Sequence, residues 1–311
     1  MKHEIYLVPP EKYPLALGNS IYKPKQLYAI GELPPPASTE DDRTGTPDIA
    51  RTDIPVGIAM VGTRRPGANA KLLCKRLVDS LQGTRAVVVS GLAQGIDSFS
   101  HEAALDAGIP TVAVLAQGLG TRIEGTRGEL AKRILEAGGA LVSEFEPDEP
   151  AYKSNFPARN RIISGMSAAT LIVQSKAKGG ALLTGEFTRK EGKPLYAIPG
   201  DFDNEVASGP NALLNGGLAK PVFIPESLRT VLGFPKTEGL SLQGLSLAGL
   251  HLGNDALDLF KHVNGFRKTI CELQSEFDFN ISQLLTILTE LEIAGLAHTD
   301  DNFVFQFDGV N

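Results

Sequence analysis

The sequence is poor in cysteine and has no long apolar run. Its two cysteines, Cys74 and Cys271, lie far apart in segments with helical spacing. This excludes a disulfide framework and a cysteine-based zinc site, and both thiols are expected to be reduced packing residues. No stretch approaches the roughly 20 consecutive apolar residues of a membrane span. The beginning, MKHEIYLVPPEKYP, has charges and prolines where a signal peptide is apolar, so a cytoplasmic protein away from membranes is expected.

The chain also lacks an overall positive charge. Its net charge of -6 argues at first against a nucleic-acid partner, because phosphate binding is largely electrostatic. The charge is unevenly distributed, however. Residues 151–193 contain eight Lys or Arg against two Glu, which gives +6 and leaves -12 for the rest. Such a block is expected of a localised anion-binding groove, although a solvated charged face is the commoner meaning of such a count.

Short apolar runs alternate with segments of helical spacing. These segments, predicted as helices, are NAKLLCKRLVDSLQ, SFSHEAALDAG, RGELAKRILEAGG and TGEFTRKEGK. The 311 residues, 42% of them hydrophobic, suffice for one large domain and one or two small ones. Alternating strands and helices predict an α/β fold with a doubly wound, mainly parallel sheet. In such sheets ligands bind beyond the carboxyl ends of the strands, where MVGTRRP, SGLAQGID and QSKAKGG are expected. The predicted strands are VGIAMVG (56–62), AVVVSG (86–91), TVAVLA (111–116), ALVSE (140–144), TLIVQS (170–175) and PLYAIPG (194–200).

Composition divides the rest of the chain. Residues 1–36 are predicted to form a short structured segment, and residues 37–55 are polar and free of aromatics, as in a loop or linker. The main domain is expected at 56–233. Residues 234–254 repeat a Gly-Leu-Ser-Leu-like unit and are interpreted as a second linker. Residues 255–311 show three helical patterns and an alternating hairpin around a polar turn, which suggests a winged helix.

The stretch KSNFPARNRIISG gathers cations around one aromatic ring. Single-stranded nucleic acid is held by cations along its backbone and by aromatic rings on which bases stack. Lys153, Phe156, Arg159 and Arg161 supply both kinds of group. Alternatively, Phe156 fills a core and the arginines pair with Glu144, Glu146 or Asp148 just upstream. Composition alone favours this second, structural interpretation.

Two glycine turns follow predicted strands. SGLAQG, with Gly91 and Gly95, either brings backbone N–H groups to a phosphate or only permits a tight turn, and the two interpretations are equally supported. In KAKGGALLTGEF, Gly179 and Gly180 repeat the device beside Lys176 and Lys178, which favours anion binding. Neither turn is a P-loop or a GxGxxG fingerprint, so no nucleotide cofactor is expected.

Asp97 and His101 in GIDSFSH are four residues apart and would share one helix face. They could act as a catalytic or metal-binding pair. No third ligand stands nearby, and a carboxylate early in a helix favours the helix dipole. Structural roles are therefore expected, with no catalytic residue and no metal.

Over residues 56–224 the motifs resemble the DNA-processing protein A (DprA/Smf) family of bacterial natural transformation. In family order they are VGTRRP, VVSGLAQGIDSFSHEAALDAG, TVAVLAQGL, LVSEFEP, NFPARNRIISG, KGGALLTGEF and AIPGDFDNEVASGPNALLNGGLAKPV. FPARNRIISG is the most specific of them. LYAIG also resembles the entry segment of the family, and the expected winged helix is similar to the C-terminal domain of many members.

This resemblance implies an extended Rossmann-like domain that dimerises and binds single-stranded DNA without catalysis. It also implies a recombination mediator that protects incoming DNA, counters single-stranded-DNA-binding protein and helps to load the recombinase RecA. By position, Arg64 or Arg65 would contact phosphate, Lys153 would lie at the pocket edge and Phe156 would stack on a base. The remaining expected DNA-binding residues are Arg159, Arg161 and Lys176, with Gly91, Gly179 and Gly180 bringing backbone close to the strand.

The sequence departs from the family in three places. This chain has GLGTRIEGTRGEL where the family more usually has a stretch that contains Tyr-Pro and a following Asn. Residues 37–55 are longer than is usual in the family, and the N-terminal helical domain of many members is expected to be absent or reduced. GLGTRIEG, with Glu124, also resembles in part the motif of Rossmann-like enzymes that cleave nucleoside monophosphates. Such a phosphoribohydrolase-like enzyme, or a nucleotide-sensing regulator that uses SGLAQG, is the alternative function.

Overall fold

The computed structural model describes residues 4–34, 55–234, 254–263, 267–293, 297–299 and 304–307. They belong to two compact units, a first unit Met1–Pro235 and a second unit Lys236–Asn311. Apart from their end residues, the two predicted linkers, 37–55 and 234–254, lie outside the described residues.

The described part of the first unit is built around a nine-stranded sheet of order β1-β2-β6-β5-β4-β3-β7-β8-β9. All neighbouring strands along β6-β5-β4-β3-β7-β8-β9 pair in parallel. At one edge, β1 pairs antiparallel with β2, and β2 pairs antiparallel with β6. The expected α/β fold with a mainly parallel sheet is confirmed. The strands are β1 Tyr6–Leu7, β2 Tyr28–Gly31, β3 Val56–Val61, β4 Ala86–Ser90, β5 Thr111–Val114, β6 Ala140–Ser143, β7 Ala169–Ile172, β8 Leu195–Ala197 and β9 Lys220–Pro221.

The central strands are apolar along their whole length because helices cover both faces of the sheet. In β3, Ile58 and Met60 pack into the core on one face, and Ala59 and Val61 pack into the core on the other. This alternation follows from the two-residue repeat of a strand. The six apolar runs predicted as strands therefore coincide with β3 to β8, with ends that differ by one to three residues.

Helices α2 and α3 pack on one face of the sheet, and α1, α5 and α6 pack on the other. The spacing of apolar residues predicted α2, α3, α4 and α6, whereas α5 contains the cationic stretch considered only as a binding motif. The helices of the first unit are α1 Leu15–Gly18, α2 Ala70–Asp79, α3 Ile96–Asp106, α4 Gly125–Glu136, α5 Asn155–Gly165, α6 Ala181–Lys190, α7 Ser208–Asn215 and α8 Leu228–Val231.

The N-terminal segment contributes strands to the sheet of the main domain. Strand β2 pairs with β6 so that Tyr28 lies opposite Ser143, and β1 adds one further strand. Leu17 and Leu27 are fully buried in the core under this edge. Residues 4–34 thus extend the sheet and belong to the same compact unit.

The second unit has its own apolar core, formed by residues such as Phe260, Leu273 and Leu288. Its three strands form an antiparallel sheet of order β10-β12-β11. The three predicted helices and the predicted hairpin are found, and β10 is an additional strand. The polar turn 300–302 lies outside the described residues, and the winged-helix assignment stays a prediction. The elements are α9 Asn254–Val263, β10 Arg267–Thr269, α10 Ile270–Glu276, α11 Ile281–Ile293, β11 Ala297–Thr299 and β12 Val304–Phe307.

Both cysteines lie in helices and are free. Cys74 is fully buried in the core, and burial raises the pKa of its thiol to about 12. Cys271 is exposed, so the expectation that it is a packing residue is wrong. In the part of the chain that the structure describes, the helices are too short or too polar to span a membrane.

Candidate nucleic-acid interface

A cleft opens at the carboxyl ends of the parallel strands, where the chain direction across the sheet changes. Strand β3 lies between β4 on one side and β7 on the other, and the loops after β3 and β7 diverge there. In doubly wound sheets such a switch point is the usual place of a ligand site. The motifs VGTRRP, SGLAQGID and QSKAKGG all lie at this edge, as the sequence predicted.

The loops around the cleft are tied together by main-chain hydrogen bonds. Thr63 N–H donates to the carbonyl of Gln174 at 2.7 Å, and Ile96 N–H donates to the carbonyl of Thr63 at 3.2 Å. Gly95 adopts φ +89°, and a Cβ on it would lie 2.4 Å from the Thr63 carbonyl oxygen. Only glycine fits there, so Gly95 has a structural role that needs no phosphate.

The first pocket of the cleft has a volume of about 410 Å³. Its walls include Arg64 after β3 and the turn Lys176 to Gly180 before α6. Lys176 is exposed and pairs with Glu205 at 2.6 Å. Lys178 is exposed too, and among the described residues it forms no ion pair. Gly179 and Gly180 line the same pocket, so four predicted site residues of this region lie together.

A second pocket of about 210 Å³ adjoins the first. The two pockets share Arg64, Phe156 and Arg159 as lining residues. The second pocket also contains Arg127 of α4 and the amides Gln94 and Gln117. It lies at the ends of β4 and β5, next to the switch point.

Phe156 lies at the boundary of the two pockets and is half-buried. The guanidinium carbon of Arg64 lies 4.7 Å from the centre of its ring. This cation–π contact occupies one ring face, and the alternative that Phe156 is sealed in the core is wrong. The pair presents a flat aromatic and guanidinium surface inside the cleft, suited to stacking on a base.

Arg159 is buried, only 4% exposed, and forms part of the cleft floor. It donates two hydrogen bonds from Nη1, to the carbonyl of Gly91 at 2.6 Å and to that of Val114 at 2.5 Å. These bonds hold the ends of β4 and β5. Burial is the main cause that lowers its pKa to about 10. The expectation that Arg159 belongs to a basic surface is therefore corrected, because its charge lies beneath the cleft.

Gly91 lies between Arg159 and Asp97 and is buried. Its N–H donates to Asp97 Oδ2 at 3.2 Å, and a Cβ on it would lie 2.4 Å from Arg159 Nη1. Because its N–H and carbonyl both have partners, Gly91 does not offer its backbone to a strand as expected. Burial raises the pKa of Asp97, while the Arg159 charge and backbone donors oppose this shift.

His101 has no access to the cleft. It is fully buried in α3, and its Nδ1 lies 2.7 Å from Thr111 Oγ1. Because the Thr111 hydroxyl donates to the carbonyl of Val88, the Nδ1 nitrogen carries the proton and donates. Burial lowers the pKa of His101 to about 3. The ring is a neutral core residue, in line with the expected structural role.

Three other predicted site residues lie outside the two pockets. Arg161 donates to the carbonyl of Tyr22 and to the carboxylate of Glu144, which is the pairing that the structural interpretation expected. It lines a separate groove beside the N-terminal segment. Arg65 and Lys153 are exposed but line neither pocket.

Arg127 is not among the site residues predicted from the sequence, although its helical spacing contains the signal. Arg127 is three, four and seven residues before Leu130, Ala131 and Ile134, the buried residues of α4. Arg159 has the same spacing to Ile162, Ile163 and Met166 in and after α5. An arginine at the start of a buried stripe, near the carboxyl edge of a sheet, points into that edge.

The chain is similar to several known proteins. Protein Smf of Escherichia coli (strain K12) is 37% identical over 175 residues, which are 55% of this chain and 47% of the relative. DNA processing protein A of Streptococcus pneumoniae aligns with a TM-score of 0.60 and 29% identity, over 73% of this chain and 74% of that one. The Helicobacter pylori protein, whose structure is described for its single-stranded DNA binding mode, aligns with a TM-score of 0.60 and 27% identity, over 74% and 97%.

The chain spans about half the length of the curated relatives it matches. Residues 43–232 match the model of a family described as DNA recombination-mediator protein A. That match covers more than half of the chain and includes the β-strands and loops that form the cleft. The chain therefore belongs to the DNA recombination-mediator protein A family, known also as DprA/Smf.

Proposed function

We propose that this chain binds single-stranded DNA in the cleft and acts as a recombination mediator. One observation carries the proposal. In the described part of the chain, the two pockets are lined by five cationic side chains and by one carboxylate, Asp97, which is buried. The cations are Arg64, Arg127, Arg159, Lys176 and Lys178. The net charge of the chain is -6, so this concentration of positive charge is local.

The shape of the cleft favours an unpaired strand over a duplex. A base stacks on the Phe156–Arg64 surface only if it is free to leave its neighbours and its complement. The pockets on either side of Phe156, about 410 and 210 Å³, are of a size for single bases or phosphates. Lys178 and the exposed Gly180 border the first pocket, where the backbone of the strand would run.

A titration of labelled oligothymidine against a duplex of equal length tests the proposal. We expect clearly tighter binding of the single strand. Phe156→Ala should weaken it by roughly ten- to a hundredfold, the worth of one stacked base. Arg65→Gln is the matched control for Arg64→Gln, because Arg65 is the exposed neighbour outside both pockets. Equal affinity for duplex and single strand, or equal effects of the two arginine changes, would overturn the assignment.

The wider proposal is that the chain protects incoming DNA, counters single-stranded-DNA-binding protein and helps to load RecA, in the cytoplasm during natural transformation. It rests on membership of the family and on the single-strand preference just argued. A strand-exchange assay measures this step. RecA filaments should form faster on DNA covered by single-stranded-DNA-binding protein when this chain is added, and no acceleration would contradict a mediator role.

We propose further that the chain works as a homodimer. Large apolar side chains are exposed near the edge strand β9, namely Phe202, Leu218, Phe223 and Ile224. Phe202 is 91% exposed and Phe223 75%, and exposed apolar surface commonly marks contacts between proteins. Light scattering should give twice the mass of one chain. Phe223→Ser should lower that mass, and a monomeric wild-type chain would refute the dimer.

No reaction is proposed for the cleft. Hydrolysis of a nucleoside monophosphate would need carboxylates placed for acid and base roles, and Asp97 is engaged with Gly91 beneath the cleft. Glu124 lines neither described pocket. Incubation with nucleoside monophosphates should release no base, and release that depends on Glu124 would establish the enzymatic alternative.

The second unit is proposed to be a winged-helix domain, spanning about residues 255–311, that contacts protein rather than DNA. Its α11 has no Lys or Arg, so a DNA phosphate would meet no positive side chain of that helix. We also propose that residues 56–233 and the N-terminal strands together form the main domain.

A further inference from the structure

Arg127 lies at the start of α4 and lines the second pocket. The stretch GLGTRIEGTRGEL leads into α4, and the half-buried Arg127 projects from the first turn of that helix into the second pocket. Its Nε donates to the carbonyl of Leu92 at 2.8 Å, which fixes the direction of the side chain. Within the described residues, its terminal nitrogens Nη1 and Nη2 bond to no protein acceptor.

Arg64 has free donors in the same pocket. Its guanidinium rests on the ring of Phe156, and among the described residues it forms neither a hydrogen bond nor an ion pair. A guanidinium held by a ring face keeps its N–H groups directed outward in the plane of the guanidinium. Arg64 and Arg127 therefore offer donors to one small space from two different elements, the loop after β3 and the start of α4.

Arg159 forms the floor of that space and adds a third positive charge. No carboxylate lines this pocket in the described part of the chain, and the carboxylate whose charge acts on Arg127 and Arg159 is Asp97, which is buried beside Gly91. The proximity of like charges is reflected in pKa values: the Arg64 charge contributes to lowering the pKa of Arg127 and of Arg159, after burial as the main cause. Three guanidiniums with one counter-charge leave a positive excess that an anion would offset.

We propose that Arg64, Arg127 and Arg159 form a phosphate-binding subsite in the second pocket. Arg64 and Arg127 would donate to the phosphate oxygens, and Arg159 would act from below through its charge. The subsite adds detail to the proposed function. It depends on that function if the bound phosphate is part of DNA. Two sources share this chemistry, an internal phosphodiester of the strand and the terminal phosphate at its 5′ end.

The backbone beneath the subsite supports a built site. Leu92, whose carbonyl holds Arg127, has φ 52° and is the one non-glycine residue with positive φ in the described part of the chain. Strained residues of this kind are kept where the surroundings require them, commonly at functional sites. Gln94 and Gln117 complete the wall with neutral amides, so no exposed carboxylate of the described pocket opposes an anion.

Arg127→Gln tests the subsite, with Arg133→Gln as the matched control. Arg133 lies on the same helix, is exposed and pairs with Asp106 at 3.4 Å, so both changes remove one charge from α4. For single-stranded DNA we expect Arg127→Gln to lower affinity about tenfold and to reduce the slope of log K against log salt by about 0.7, the value for one lost phosphate contact. Arg133→Gln should leave the slope unchanged. Equal behaviour of the two variants would overturn the subsite.

Oligonucleotides with and without a 5′ phosphate identify the source. A loss in Arg127→Gln that is equal for both supports an internal phosphodiester, and a loss confined to the phosphorylated strand supports a terminal phosphate.

Inorganic phosphate tests the same subsite without DNA. At equal ionic strength, sodium phosphate should raise the Tm of the wild type and of Arg133→Gln more than sodium chloride does, and Arg127→Gln should lose this difference. If the wild type binds no DNA, the proposed function fails, and the phosphate arm alone decides on the subsite. If DNA binds but Arg127→Gln matches Arg133→Gln in every arm, only the subsite fails.

Discussion

By fold alone, both the cleft of the first unit and helix α11 of the second unit could be DNA-binding sites. The two regions differ strongly in charge. The cleft gathers five cations around one buried carboxylate among its described lining residues. Residues 255–311 contain three Lys or Arg against ten Asp or Glu, and α11 has no Lys or Arg. A three-helix domain with a hairpin is a common DNA-binding plan. Here the distribution of charge, and not the fold class, separates the two regions.

The largest expected effect comes from testing the two units apart. Residues 236–311 have an apolar core of their own and should fold alone, yet they should bind single-stranded oligothymidine at least about 1,000-fold more weakly than the full chain, because the electrostatic attraction to phosphate is missing. Gel shift measures this at low salt. Residues 1–235 are the control and should keep most of the affinity. Tight binding by the second unit would remove the contrast.

Arg159→Met should cost roughly 3 kcal/mol of unfolding free energy, because it leaves two buried carbonyls and the Asp97 charge without their cation. Urea denaturation of the first unit measures the loss. Arg65→Met is the control, since that exposed side chain should change stability by less than about 0.5 kcal/mol. If the two variants unfold alike, Arg159 does not organise the cleft floor.

The sequence predicted most strands of the main sheet, but it did not predict the pairing of the N-terminal strands or helix α5. The apolar runs located strands β3 to β8, because strands buried on both faces must be apolar throughout. The pairing of β2 with β6 was not predicted, since Tyr28 and Ser143 are 115 residues apart and short strands carry no information about distant partners. Helix α5 was not predicted either, because its first turns carry polar and cationic residues in place of an apolar pattern.

Within the site, the sequence identified the motifs but not the direction of each side chain. Arg159 and Arg161 are separated by one residue, yet Arg159 bonds strand ends and Arg161 bonds Tyr22 and Glu144. Successive positions of a helix point about 100° apart, so the side chains of Arg159 and Arg161 point about 200° apart and contact different neighbours. The spacing of Arg159 to Ile162 and Ile163 was sufficient to predict its burial. The pairing of Lys176 with Glu205 depends on tertiary structure and has no such signal.

His101 should make the stability of the first unit depend on pH. Its folded pKa of about 3 lies below the unfolded value of about 6.5, so its contribution is complete above pH 6.5 and is lost as pH falls toward 3. Between pH 7 and pH 5 this amounts to about 2 kcal/mol. Asp97 acts in the opposite direction, because its raised pKa favours the fold at low pH and disfavours it as pH rises.

Urea midpoints at pH 7 and pH 5 measure this dependence. His101→Asn should lose less stability between these values than the wild type, and the Asp97 contribution, common to both, cancels in the difference. His262 of the second unit is exposed, so His262→Asn should leave the pH dependence of the first unit unchanged. If the urea midpoints of the wild type and of His101→Asn change equally between pH 7 and pH 5, His101 is not held neutral in the fold.

The smallest expected effects distinguish the two lysines of the first pocket. Lys178 has no ion pair among the described residues, so Lys178→Gln should reduce the salt slope of single-strand binding by about 0.7. Lys176 is shared with Glu205, and Glu205→Gln should tighten binding by about two- to fivefold because an exposed pair is worth less than about 1 kcal/mol. Lys261→Gln, in the acidic second unit, should change neither quantity. If Lys261→Gln flattens the salt dependence as much as Lys178→Gln does, net charge and not the cleft governs binding, and the contrast between the two regions loses its physical basis.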